Sequence, residues 1–179
     1  MSDLAPSRLW TMRIAFVVLV VVILFFHMLP LQTATGGWIW PDLILAFALA
    51  WSVRRPDYVP LGLLAGCFLL ADLLLQRPPG LWAVLTLVAC ARLQLQARSL
   101  RDASLAAEFM SAAAWIVGVG LGYRLVLAVL LVDMPSLAPA LLQIVITVMA
   151  YPMVAIITHT LMGVRKATPH DLGSSGVRT

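Results

Sequence analysis

The sequence predicts an all-α integral membrane protein, a bundle of six transmembrane helices. Three observations predict it. Hydrophobic residues make up 62% of the 179 positions and charged residues only 11%, against about 25% charged in a soluble domain. The apolar residues fall into six runs, each near the ~20 residues that a helical span needs. The positive charges collect on one side of the membrane that these runs define. With a mean hydropathy of +0.99, too few polar side chains remain to cover a globule in water. That excludes a soluble enzyme, a disordered regulator and a disulfide-stapled secreted module.

The elements follow in order. The first span is expected over 14–31; Arg8 and Arg13 precede it as they would a signal peptide, but Thr33-Ala34-Thr35 is a poor cleavage site. The second, 38–53, is short, with Pro41 placed in its first turn, where a missing N–H costs nothing. Arg54-Arg55-Pro56-Asp57 ends it. The third is 58–75, with Pro60 in its opening turn, and Gln76-Arg77-Pro78-Pro79-Gly80 is a tight break. The fourth is 81–97. The fifth is 109–132, closed by Asp133-Met134-Pro135, and the sixth is 137–163. Residues 1–164 thus form one membrane domain, and 165–179 a cytoplasmic tail expected to be flexible.

With the N-terminus inside, the inner segments hold Arg8, Arg13, Arg54, Arg55, Arg92, Arg98, Arg101, Arg165, Lys166 and Arg178, ten of the twelve positive residues. The outer segments hold only Arg77, and Arg124 lies within the fifth span. This asymmetry predicts a multi-pass chain, N-in and C-in. The net charge of +4 therefore reports topology and does not point to nucleic acid. Residues 92–108 carry an apolar stripe at Leu93, Ala97, Leu100, Ser104 and Ala107. They read as an extension of the fourth helix along the inner surface or, alternatively, as a docking surface for a cytoplasmic partner.

Catalytic patterns are missing. His27, His159 and His170 lie on different elements, no Gly-x-Ser-x-Gly occurs, and there is no phosphate loop or dinucleotide fingerprint. Cys67 and Cys90 both lie in apolar stretches and read as small buried residues. No metal or cofactor is expected. Asp72 stands out, because an ionisable residue inside a span is costly unless partnered; Arg124 is its natural partner, the alternatives being hydration near the interface or a polar contact with another membrane protein. Small residues recur every fourth position at Ala46 and Ala50, at Gly62 and Gly66, and at Ala114, Gly118 and Gly122. Such ridges let helices approach closely within the bundle or receive a partner's helix. Pro152 should kink the sixth helix. His27, Trp38, Trp40 and Trp82 fit an outer interfacial belt.

Pro41-Asp42-Leu43, Trp51 followed by Arg54-Arg55-Pro56, Asp72-Leu73-Leu74, Pro79-Gly80-Leu81 and Tyr151-Pro152 together resemble the MreD family of bacterial rod shape-determining proteins. The resemblance covers residues 41–152, in order. It implies a non-catalytic scaffold of the wall-elongation machinery in the inner membrane. It also implies a bitopic MreC-like partner and, through that partner, the MreB filament, RodA and its penicillin-binding transpeptidase. The bundle implied is similar to the substrate-binding component of vitamin importers, which makes such an importer subunit the alternative function. Against it, the first span is bulky and β-branched where importer subunits carry a small-residue ridge, and the outer loops are short and nearly uncharged.

Overall fold

The computed structural model describes residues 6–29, 39–102, 105–132 and 136–160. Leu31, Trp38, Ser104, the Asp133-Met134-Pro135 break and the tail from residue 165 lie outside the described residues. Six α-helices run in chain order: α1 Pro6–Met28, α2 Leu43–Arg54, α3 Leu61–Leu74, α4 Leu81–Asp102, α5 Leu105–Val129 and α6 Leu137–Thr160. A single 3₁₀ turn, Pro56–Tyr58, joins α2 to α3, and no strand occurs among the described residues.

Three of the helices, α1, α5 and α6, are long and apolar enough to cross a membrane. The other three are shorter than the sequence predicts or are apolar over only part of their length. In α2 the cause is local. Pro41 lies before the helix and not in its first turn, because Asp42 is the N-cap and its side chain accepts the N–H of Leu45. At the far end Pro56 turns the chain into the 3₁₀ segment. The helix that remains has 12 residues and is about 18 Å long, well short of the ~30 Å of bilayer hydrocarbon.

That short helix is the axis of the molecule. Every residue from Ile44 to Arg54 is buried, enclosed by α1, α4, α5 and α6. Ala46, Ala48 and Ala50 let neighbours approach, while Leu45, Leu49 and Trp51 fill the space between them. An α-helix apolar on all sides belongs inside a bundle. The outer helices reverse the pattern. Phe25 and Phe26 on α1, Leu125 on α5 and Met149, Met153 and Ile156 on α6 are exposed. A surface so apolar is suited to lipid and not to water.

The small-residue ridges are only partly packing surfaces. Ala46 and Ala50 are fully buried. Gly62, Gly66, Ala114 and Gly118 are exposed, and a Cβ added at any of those three glycines would meet nothing within 4 Å. Gly122 is half-buried and would touch Leu85 at an ordinary 3.7 Å. The close approach between α5 and α6 occurs at Gly120 instead, where a Cβ would lie 2.5 Å from Ile144 Cδ1. The sequence marked a ridge every four residues; the helix turns a neighbouring line of residues, Ile116 and Gly120, inward.

The segment 92–108 divides between two helices. α4 continues to Asp102, with Leu93 and Ala97 buried, and Glu108 opens α5 in a buried position. Pro152 sits inside α6, which is continuous from Leu137 to Thr160.

Candidate functional site

Polar side chains gather at the two ends of α2. At its C-terminal end, Arg54 is buried and ion-paired with Glu108, Nε to Oε1 at 3.0 Å. Its Nη1 donates to the carbonyl of Ala155 at 2.8 Å. Tyr151 Oη donates to the same Glu108 oxygen at 3.4 Å. One guanidinium thus ties α2 to α5 through a carboxylate and to α6 through a backbone carbonyl. A groove of about 570 Å³ lies beside this cluster, bounded by Phe109, Tyr151, Pro152, Ile156 and His159. Its Ala155 carbonyl is one turn below Pro152, the residue that removes an N–H from α6.

At the N-terminal end of α2, the N–H of Asp42 donates to Thr147 Oγ1 at 2.9 Å, and that hydroxyl donates to the carbonyl of Gln143 at 2.7 Å. Arg77 stands 3.6 Å from Asp42 Oδ2 and lies over the Trp82 ring at 4.7 Å. Trp82 meets Tyr123 edge-on, with centroids 5.2 Å apart. These groups wall a half-open cavity of about 410 Å³, which Arg124 and Gln143 also line.

Asp72 lies at this same end, and its hydrogen bonds go to the backbone. It is fully buried. Its Oδ2 accepts the N–H groups of Gly80 at 3.0 Å and Ala83 at 3.1 Å, and its Oδ1 has no hydrogen-bond partner. Its hydrogen bonds are therefore with the start of α4. The physical reason is the orphan N–H groups of a helix N-terminus, which draw a carboxylate to them. The backbone carbonyl of Asp72 meanwhile accepts the N–H of Arg77, closing α3 after Gln76 turns to φ +53°. One residue ends one helix and caps the next. Asp72→Ala is therefore expected to cost about 1–2 kcal/mol of stability, as lost caps do. Combined with Arg124→Gln the losses should simply add, measured as thermal unfolding in detergent; a coupled pair would break that additivity.

Two of the residues that organise these clusters escape a reading of the sequence as topology. Arg54 looks like one more inner-side charge beside Arg55. Glu108 looks like a helix boundary. The signal that could have joined them is that Glu108 is the sole glutamate of the chain and opens an apolar run. Ser52 and Arg54 likewise close one. On antiparallel helices those two ends meet. Among the described residues no group of three His, Cys, Asp or Glu side chains is placed to hold a metal. Compared with known proteins, the chain matches no family model, no curated protein and no solved structure.

Proposed function

We propose that this chain is a non-catalytic, six-helix membrane scaffold of the MreD kind, N-in and C-in in a bacterial inner membrane. It binds an MreC-like bitopic partner and supports rod shape through MreB, RodA and its penicillin-binding transpeptidase. One observation carries the reading. The residues on which the resemblance rests are those that hold the bundle together: Asp42 caps α2, Arg54 and Tyr151 meet on Glu108, and Asp72 caps α4 at Gly80. Their hydrogen bonds go to Glu108, to Thr147 and to the backbone. What such a framework presents outward is apolar helix surface, with small residues at Gly62, Gly66, Ala114 and Gly118, the surface a partner helix can approach closely.

The test is purification from mild detergent with an MreC-like partner co-expressed. The partner should stay bound at about 1 M salt, where exposed charges are screened within ~3 Å, because the contact is made by helix faces. Gly118→Leu should weaken retention while leaving the isolated protein folded. Depletion in a rod-shaped host should round the cells. The cavity at the Asp42 end favours the importer-subunit alternative, since its polar lining comes from helices even though the outer loops are short. Failure to retain a partner, together with tight binding of a vitamin, would put that reading in place of the scaffold.

A further inference from the structure

The helices α5 and α6 touch at Gly120 and Ile144. Nearer the start of α5, about 16 Å back along the helix at Phe109, they leave the groove beside the Arg54–Glu108 pair. Leu105, Ala106 and Phe109 form one wall and Pro152, Ala155 and Ile156 the other, and the surface open between them is almost all carbon. The charges at the floor are spent on each other. Arg54 gives Nε to Glu108 and Nη1 to the Ala155 carbonyl, and Tyr151 Oη donates to the same carboxylate oxygen. His159 stands at the rim and is exposed. Such a groove offers hydrocarbon contact and little by which to select a charged group.

Both walls belong to helices long and apolar enough to cross a membrane. Met110, Met149 and Met153 on the same two helices are exposed, so the groove is continuous with a surface suited to lipid. Its size narrows the occupant. Pro152 to His159 covers about 10 Å of α6. A volume of about 570 Å³ over that length leaves a section narrower than the ~10–12 Å of an α-helix with its side chains. A partner helix does not fit inside it, and a hydrocarbon chain does.

We propose that this groove holds an acyl chain of a membrane lipid, laid along Phe109, Pro152 and Ile156 and covering the Arg54–Glu108 pair. The chain leaves hydrocarbon to enter hydrocarbon, so transfer from water does not hold it there. Contact does: both walls and the floor touch a chain in the groove, whereas a lipid on the outside of the bundle is touched from one side. The site is separate from Gly62, Gly66, Ala114 and Gly118, the positions assigned to the partner, and does not depend on the scaffold reading.

The experiment reconstitutes the full chain in bilayers containing phosphatidylcholine or phosphatidylglycerol with a photoreactive diazirine in one acyl chain. After irradiation, peptide mass spectrometry reads the labelled positions. The exposed face of α1 at Val18, Val21 and Phe25 is the internal reference for ordinary lipid contact. Labelling at 105–109 and 152–156 should exceed that reference about fivefold or more, the worth of a modest number of added carbon–carbon contacts. It should do so equally with both headgroups. Ala106→Trp adds bulk at an exposed position of the groove wall. It should bring groove labelling down to the reference while labelling of α1 stays unchanged. Wild-type groove labelling no higher than that of α1 would overturn the proposal even if the variant failed to fold. So would a marked preference for one headgroup, or undiminished groove labelling in a folded Ala106→Trp protein.

Discussion

Glu108→Ala is expected to be the most damaging single substitution in this protein, at about 3–5 kcal/mol, the range for removing one partner of a buried ion pair. Both side chains are nearly inaccessible, at 6% and 2%, so water cannot replace the lost carboxylate. The substitution would leave a guanidinium inside the bundle with only the Ala155 carbonyl as a described acceptor, and would strip Tyr151 Oη of its own. Arg54→Ala should be nearly as harmful. The double replacement Arg54→Met with Glu108→Leu should be milder than either single change, because apolar side chains of similar volume restore packing without any charge to desolvate. Thermal unfolding and monodisperse yield in detergent read all three. Wild-type stability in Glu108→Ala would mean that the pair does not hold α2 to α5.

Gly120→Leu is the second large effect. The helices α5 and α6 touch at this glycine, where even a Cβ would meet Ile144 at 2.5 and 2.7 Å. Both contacts are to a side chain, so Gly120→Ala should be partly absorbed by a new Ile144 rotamer. A leucine cannot be accommodated in that way and should cost about 1–3 kcal/mol or more, as overpacking does. Gly118→Leu is the control two residues away, on the face where a Cβ meets nothing within 4 Å. If the two leucine variants fold equally well, α5 is turned differently from the arrangement described.

Much of this architecture was legible. The breaks at Arg54–Asp57 and Gln76–Gly80 fall where proline and glycine put them, and helical content follows from the apolar runs. The lengths of α2 and α3 were not legible. Hydropathy averages over a window and does not see that Asp42 can accept the Leu45 N–H, or that Pro60 is a cap rather than a first-turn residue. Nor could it tell which small residues face inward. Gly118 and Gly120 have the same composition around them, and only the rotation of α5 against α6 separates them. The polar partnerships were hidden for a related reason. The Asp72 carboxylate takes backbone donors of a nearby helix terminus, eight and eleven positions along the chain, which a reading for charged partners does not look for. Arg54 found Glu108 across 54 positions, a distance no local pattern spans.

The enclosure of α2 has a consequence for the order in which the protein is made. Asp42 emerges from the ribosome 105 positions ahead of Thr147 and Arg54 emerges 101 ahead of Ala155. At the usual elongation rate of about 5–20 residues per second, the central helix waits on the order of 5–20 s for its last wall. During that interval it is a 12-residue apolar segment, too short to span a bilayer, ending in an arginine that gains Glu108 only 54 positions on and Ala155 last. The axis of the finished bundle is therefore its last-completed part. Nascent chains arrested before α6 should leave α2 open to proteases and to chaperones, and release of the full chain should close it.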